Sequence, residues 1–457
     1  SWIVFSRYDA EIGEENGTTD RQRYLPYVPG MVLPLFLAVL VGLTLFYDGG
    51  KAATQMTLSF CFGIFLHISV YYVLLMAALP LLRRHFSARA CAMLWMIPNY
   101  LYITEQSYME LSMPLFVIQA QGRWIWILFG VWVVGFVGVL GWKLLSHLVF
   151  RRRILRNAVT VSDPEVLSIW NSELKNANFK KPRFQLVVSP QVSTPLSVGL
   201  FQRRIRVVLP DRFYSKEELA LIFRHEIVHI GREDSWSKFF LVFCTAMCWF
   251  NPLMWIAMRK SADDLELSCD ETVLVGCQED TRHEYANLLL KTAGDERGFT
   301  TCLSATASAM RYRLKNVVKP PKKHSGALLV GLVFFALCMS CGYVALAYSP
   351  STGAEVIYQS RDLSAFHLRH IELADDPYNT PRLCPDQEAF RSYMASLELY
   401  QLTGNYSFDG SDREFTFLYD TPEGTLGVIL CDRVLKISPL YGEAPNAEWY
   451  YIPGGTD

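Results

Sequence analysis

Four stretches of this chain, Val28 to Tyr47, Met56 to Leu82, Arg123 to Phe150 and Ser325 to Tyr348, run on with almost no charge. A helix needs roughly 20 apolar residues to cross a bilayer. One such run can be the core helix of a large soluble domain, but four together argue for a multi-span α-helical membrane protein. The 51% hydrophobic content of the 457 residues lies above the usual soluble composition and agrees. Ser1 to Gly30 has no short apolar core where a cleavable signal would need one, so insertion is expected from the internal segments.

Lysine and arginine in short flanks tend to stay in the cytoplasm. Arg21 and Arg23 precede the first segment, Arg83, Arg84 and Arg89 follow the second, Arg151 to Arg153 follow the third, and Lys319, Lys322 and Lys323 precede the last. All four clusters reach one side only if the chain crosses once more between Arg89 and Arg123. An irregular span is therefore expected over about 90–120, from Ala90 to Ile103 and Met113 to Ala120, despite Pro98, Pro114 and Glu105. The expected order is a cytoplasmic segment 1–27, a membrane region 28–150, a cytoplasmic domain 151–324, a last span 325–348 and an extracytoplasmic domain 349–457. A net charge of −1, from 43 basic and 44 acidic residues, gives no sign of a nucleic-acid binder. Most of the eleven cysteines read as small buried hydrophobes, with Cys61, Cys91, Cys338 and Cys341 all in apolar stretches.

In the cytoplasmic stretch, Ser215-Lys216-Glu217-Glu218 has the pattern of a capping box, so a helix should begin near Lys216. It runs through LALIFRHEIVHI and puts His225 and His229 one turn apart on one face, where two imidazoles can converge on one zinc ion. Glu226 between them is placed to act as general base toward a water that zinc has acidified. A third ligand is offered by Glu266 in ADDLELSCD, and Asp270, on the same helical face, can orient a ligand histidine. Two histidines and a glutamate leave one position open, as catalytic zinc requires. The plain alternatives are exposed polar histidines and an ordinary acidic helix face.

Trp236 to Met258 is apolar but cannot be a full crossing, because that would put His229 and Glu266 on opposite membrane faces. Asn251-Pro252 splits it, so a helical hairpin is expected. Upstream, Ser193 to Leu200 and Ile205 to Leu209 alternate like two strands with a turn at Phe201 to Arg204. An edge strand there, including Thr194, Pro195 and Gly199, can hold an extended peptide by backbone hydrogen bonds; a purely structural hairpin fits equally well. After Tyr348 the alternation in Glu414 to Tyr419 and Leu426 to Leu430 reads as a small β-rich domain, in which Cys384 and Cys431 are the only cysteines and candidates for a disulfide.

Taken together, LLRRHFSAR with LWMIPNYL, TPLSVGLFQRRIRVVLP, HEIVHIGRED, WFNPLMW, ELSCDETVL and RLKNV resemble the BlaR/MecR-type antirepressor metallopeptidases, membrane sensors that signal by cytosolic proteolysis. The resemblance covers roughly residues 60 to 348. It implies a cytoplasmic α+β zincin-like (gluzincin) metalloprotease domain in a bacterial plasma-membrane protein, with His225, His229 and Glu266 as zinc ligands, Glu226 as base, and Asp234 and Asp270 as supporting acids. It also implies proteolysis of a cytosolic transcriptional repressor, and of the chain's own linker around Gly298 to Ser308, in answer to an extracellular ligand; a homodimer is compatible. Two departures stand out. The first span is extra to the usual family plan, and after Tyr348 no serine has a lysine three residues later, as a penicillin-binding sensor requires, so β-lactam sensing is not expected. The competing reading is a non-catalytic membrane receptor with a structural metal site.

Overall fold

The computed structural model describes residues 32–47, 49–104, 114, 116–120, 124–177, 179, 184–201, 204–293, 307–320, 323–339, 344–373, 381–403, 406, 414–422, 424–439 and 447–453. The expected cytoplasmic segment 1–27 and most of the linker around Gly298 to Ser308 lie outside these residues.

The described residues begin with apolar helices α1 (Val32–Tyr47) and α2 (Gly49–His85), then α3 (Ala88–Met96), which Ser87 caps by accepting the Ala90 amide. A 3-10 turn (Ile97–Tyr100) and one turn of helix (Leu101–Thr104) continue it. Strand β1 (Phe116–Ala120) and helix α4 (Trp124–Leu155) follow. Next come β2 (Val159–Thr160), α5 (Pro164–Asn176), β3 (Gln185–Ser189), β4 (Leu196–Val198), β5 (Arg206–Pro210), α6 (Lys216–Gly231), α7 (Asp234–Met247), α8 (Pro252–Val273), α9 (Glu279–Ala293), α10 (Ala307–Val318) and α11 (Ala327–Met339). The remainder includes β6 (Val344–Thr352), β7 (His367–Leu373), α12 (Gln387–Ser396), β8 (Glu398–Leu402), β9 (Glu414–Thr421), β10 (Gly424–Cys431), β11 (Val434–Pro439) and β12 (Glu448–Tyr451). Of these, α2 and α4 are long and apolar enough to cross a membrane, while α1 and α11 are shorter apolar helices.

Two compact units emerge. The first contains Ile68–Tyr100 and Val133–Phe335 with the start of α1. Its four-stranded sheet has the order β2-β3-β5-β4, with β3 and β5 parallel and β4 antiparallel at one edge. Alternation decides the faces. Leu186, Val207 and Leu209 meet Trp170 and Leu174 of α5, Phe223 and Ile227 of α6 and Leu288 of α9, whereas Val187, Leu196, Val198 and Val208 meet Ile154 at the end of α4. The expected hairpin is present as α7 and α8, with Asn251 capping α8 through the Leu253 amide and Pro252 in the first turn, where its missing N–H is no loss.

The second unit contains Leu37–His67, Leu101–Trp132 and Ala336–Asp457. Its eight-stranded sheet runs β1-β6-β8-β12-β11-β10-β9-β7, with α12 and an apolar cluster around Leu399, Tyr419 and Leu435 on one face. The expected strands over 414–419 and 426–430 are β9 and β10, antiparallel to each other.

Three expectations change here. Phe116 to Ala120, expected as span material, is β1, paired in parallel with Val344 to Tyr348. The last apolar helix is described over Ala327–Met339, and Val344 to Tyr348 are strand rather than span. A short apolar run fits a buried strand as well as a helix, and composition alone does not separate them. Cys384 and Cys431 are both free thiols. Cys431 is registered opposite Val434 on the face of the sheet that holds Trp449, while Cys384 packs with the cluster on the other face, beside Val428 and Leu430. A strand sends neighbouring side chains to opposite faces, so the sheet lies between the two sulfurs.

Candidate metal centre

Helix α6 starts where the capping box placed it: the Ser215 hydroxyl accepts the Glu218 amide and the Glu218 carboxylate accepts the Ser215 amide. Its spacing brings the Nε2 atoms of His225 and His229 to 3.1 Å from each other. From α8, Glu266 Oε2 lies 3.6 Å from His225 Nε2 and 3.5 Å from His229 Nε2. Nitrogen and oxygen donors about 2.0–2.2 Å from a tetrahedral ion sit about 3.3–3.6 Å apart. The three donors therefore fit one divalent ion with a position to spare.

The other nitrogen of each ring is tied down. His229 Nδ1 is 2.6 Å from Asp234 Oδ2. His225 Nδ1 is 2.8 Å from the Tyr285 hydroxyl, which spends its own proton on Asp270 Oδ1 at 2.7 Å and so must accept from the ring. Both Nδ1 atoms thus carry a proton, which leaves both Nε2 atoms at the common point to take a metal or a further proton. Arg313 holds Asp270 with a two-pronged grip, Nε to Oδ2 at 2.7 Å and Nη2 to Oδ1 at 2.8 Å. Lys238 donates to Glu266 Oε1 at 3.4 Å, which leaves Oε2 for the histidines. The turn that returns Asp234 onto His229 requires Glu233 at φ 54°, in the left-handed region.

Charge in the pocket follows from these contacts. Burial works to discharge His225, but Cys269 and Glu266 outweigh it and push its pKa up to about 10. Burial likewise opposes the charged form of His229, yet Cys269, Glu266 and Asp234 hold its pKa well above the ordinary value. Burial would lift Glu266, but His229 and Lys238 keep it well below the carboxylate range. Asp234 is also lowered, by Arg232 and His229 against the effect of burial. The site favours positive charge between the imidazoles, whether protons or a metal.

Cys269 is a competing third donor, grouped with the two histidines. Its sulfur lies 3.5 Å from His225 Nδ1, the nitrogen held by Tyr285, and it donates to the His225 carbonyl at 3.6 Å. The nitrogen turned toward His229 is Nε2, and that is the side on which Glu266 stands. Glu266 and Cys269 thus both offer a third donor, from different sides of His225. Glu226 is 6% exposed and has neither a hydrogen bond nor an ion pair among the described residues.

Beside His229 opens a cleft of about 190 Å³, lined by Ser197, Gly199, Phe201, Glu233 and Trp236 among others. The edge strand β4 borders it: Leu196 and Val198 face the apolar cluster under the sheet, and Ser197 faces the cleft. Gly199 sits at φ +129°, and a Cβ there would fall 2.6 Å from the Arg204 carbonyl oxygen, so only glycine makes this turn. Thr194 and Pro195 precede β4 and are not among the residues that line the cleft.

Residues 99–317 match the family described as BlaR1 peptidase M56. The regulatory protein BlaR1 of Bacillus licheniformis is 26% identical over 307 residues, 65% of this chain and 46% of its own length. These matches support a BlaR/MecR-type family for this chain. BlaR1 of Staphylococcus aureus is 20% identical over 309 residues, 66% of this chain and 49% of its own length, and the methicillin resistance mecR1 protein of Staphylococcus aureus is 27% identical over 131 residues, 28% and 21% of the two chains. The chain thus spans about half the length of the BlaR1 proteins it matches. The M56 segment contains every donor of the centre, and also Tyr285, Lys238 and Arg313, which sequence reasoning did not single out as site residues. Arg313 stood in the RLKNV motif; nothing in the spacing linked Tyr285 to Asp270.

Proposed function

We propose that this BlaR/MecR-type chain is a membrane-embedded zinc metalloendopeptidase of the antirepressor type. The carrying observation is the convergence of His225 Nε2, His229 Nε2 and Glu266 Oε2, with each opposite ring nitrogen already occupied. Bound zinc supplies Lewis acidity, polarising a scissile carbonyl and lowering the pKa of water to about 7. Glu226 accepts the proton of the attacking water and delivers one to the departing amine. The free edge of β4 holds the substrate backbone extended beside the cleft. Asp234 and the pair Asp270–Tyr285 keep the histidines in the tautomer that leaves Nε2 unprotonated.

Membrane insertion is supported by α4, whose Trp124, Leu128, Val134 and Leu145 side chains are more than half exposed. Water is a poor solvent for such a helix and lipid a good one. With β1 taken out of the membrane, Ala88 to Thr104 is the material left for the additional crossing. We place the peptidase domain and N-terminus in the cytoplasm and the β-rich domain outside, in a multi-pass protein of a bacterial plasma membrane. The substrates are a cytosolic transcriptional repressor and the chain's own linker around Gly298 to Ser308, and the outer domain reads an extracellular ligand. One observation favours a second reading, a non-catalytic receptor with a structural site: Cys269 is near enough to become a fourth protein ligand, which would close the open position.

The test is zinc content and cleavage, of itself and of candidate repressors, in the purified protein and its Glu226→Gln variant. About one zinc in each, with fragments from the parent alone, is the expected result. Zinc in neither overturns the reading.

A further inference from the structure

Glu266 is carried by a helix that is held from behind. Successive helical residues turn by about 100°, so Asp264, two positions earlier, faces away from the metal centre. It is 1% exposed. Its Oδ1 accepts Arg83 Nε at 2.9 Å and Nη2 at 2.8 Å, and its Oδ2 accepts Trp95 Nε1 at 2.7 Å. Arg83 stands in the last turn of α2, and Trp95 belongs to α3. Two more ties flank this one. Asn251 at the start of α8 donates to Ser69 of α2 at 2.8 Å. Near the other end, Glu271 accepts the Ala88 amide at 2.9 Å and pairs with Lys323 at 3.0 Å. The carboxylate donor therefore rides on a helix fastened along its length to α2 and α3, whereas both imidazoles ride on α6, whose apolar face is part of the sheet core.

Arg83 has a second reach. Its guanidinium lies 5.6 Å over the Tyr312 ring, and its carbonyl accepts the Tyr312 hydroxyl at 3.3 Å. Tyr312 adjoins Arg313, which grips Asp270 and, through Tyr285, orients His225.

We propose that Arg83 and Asp264 are positioning residues for the metal centre, through which the end of α2 sets whether Glu266 meets the two imidazoles. The proposal rests on the peptidase reading in taking His225, His229 and Glu266 as the donors. A buried carboxylate must keep its partners, so α8 follows Arg83 when α2 shifts or turns. A turn of α8 by about 20° carries a side-chain tip some 6 Å from its axis through about 2 Å, enough to withdraw Glu266 Oε2 from donors now 3.5 and 3.6 Å away. An apolar helix is thereby joined to the one ligand that α6 does not supply, which gives a membrane signal a route to the site.

The experiment uses the full chain in detergent with zinc as the probe. Affinity is read by chelator competition, and melting temperature is read with zinc and with chelator. Asp264→Asn and Arg83→Gln should each weaken zinc binding about 10–100-fold, with the double variant no weaker than the worse single. The zinc-induced rise in melting temperature should shrink, and Arg83→Lys should recover most of the affinity. A merely structural role would lower both melting temperatures equally and leave affinity alone. Trp95→Phe removes one hydrogen bond and no charge, and covers the case in which the charge variants do not fold; its expected loss is about tenfold. Affinities within about twofold of the parent in the folded variants, or additive losses in the pair, would overturn the proposal. If that happens while the parent binds zinc and cleaves, only this inference falls. A parent without zinc takes the peptidase reading with it.

Discussion

The two compact units bury different chemistry. The first puts Glu173, Glu226, His229, Asp234, Asp264 and Asp270 in its interior, while the buried polar residues of the second, among those described, are Thr44 and Gln55 and carry no charge. In place of ion pairs the second unit buries tyrosine hydroxyls: Tyr348 donates to the Gln55 carbonyl at 2.8 Å, and Tyr358 and Tyr419 meet at 3.4 Å. Taking a charge out of water is expensive unless partners are already in place. His229, Asp234 and Asp270 meet this cost around one point, whereas a unit that buries tyrosine and leucine is built to hold a sheet together.

The comparison breaks most readily at Asp270. Asp270→Ala strands the Arg313 guanidinium and frees the Tyr285 hydroxyl, so we expect a loss of about 3–5 kcal/mol in the first unit, measured by denaturant unfolding, together with weaker zinc binding. The counterpart in the second unit is Leu435→Ala, at a fully buried position of the sheet core. It should cost about 2–5 kcal/mol there and leave zinc affinity unchanged; a change in zinc affinity would mean that the units do not divide stability from chemistry in this way. Asp234→Asn keeps the shape but surrenders the charge on His229 Nδ1, and should weaken zinc binding about 10–100-fold by chelator competition.

The pH dependence sharpens the same contrast. His225, raised to about 10, stabilises the metal-free first unit fully below its unfolded value of about 6.5, and this contribution fades as pH rises through about 10. Zinc must displace those protons, so its affinity should climb between about pH 6 and about pH 9 while metal-free stability falls. The smallest expected effect is at Glu233. Glu233→Gly relieves a left-handed residue and should raise melting stability by up to about 1 kcal/mol.

Local chemistry made much of the first unit legible. The Ser215 capping box, the Asn251-Pro252 break and the alternation of Leu196 to Val198 against Arg206 to Val208 each depend on residues close in the chain, and each appears where expected. The parallel pairing of β1 with β6 joins residues more than 200 apart in the chain and leaves no local trace, so two apolar strands read as membrane span. His225, His229 and Glu266 followed from helical spacing and from the family resemblance. Tyr285, Lys238 and Arg313 did not, because their roles arise only when α9, α7 and α10 pack around α6 and α8.

The central claim is that the charge buried in the first unit is an open catalytic metal centre rather than a closed structural one. X-ray absorption at the zinc edge of the zinc-loaded protein tests it most directly. Two imidazole nitrogens and oxygen donors at about 2.0–2.2 Å with no sulfur are expected. A sulfur at about 2.3 Å, which Cys269 alone among the described residues is placed to supply, would contradict the claim.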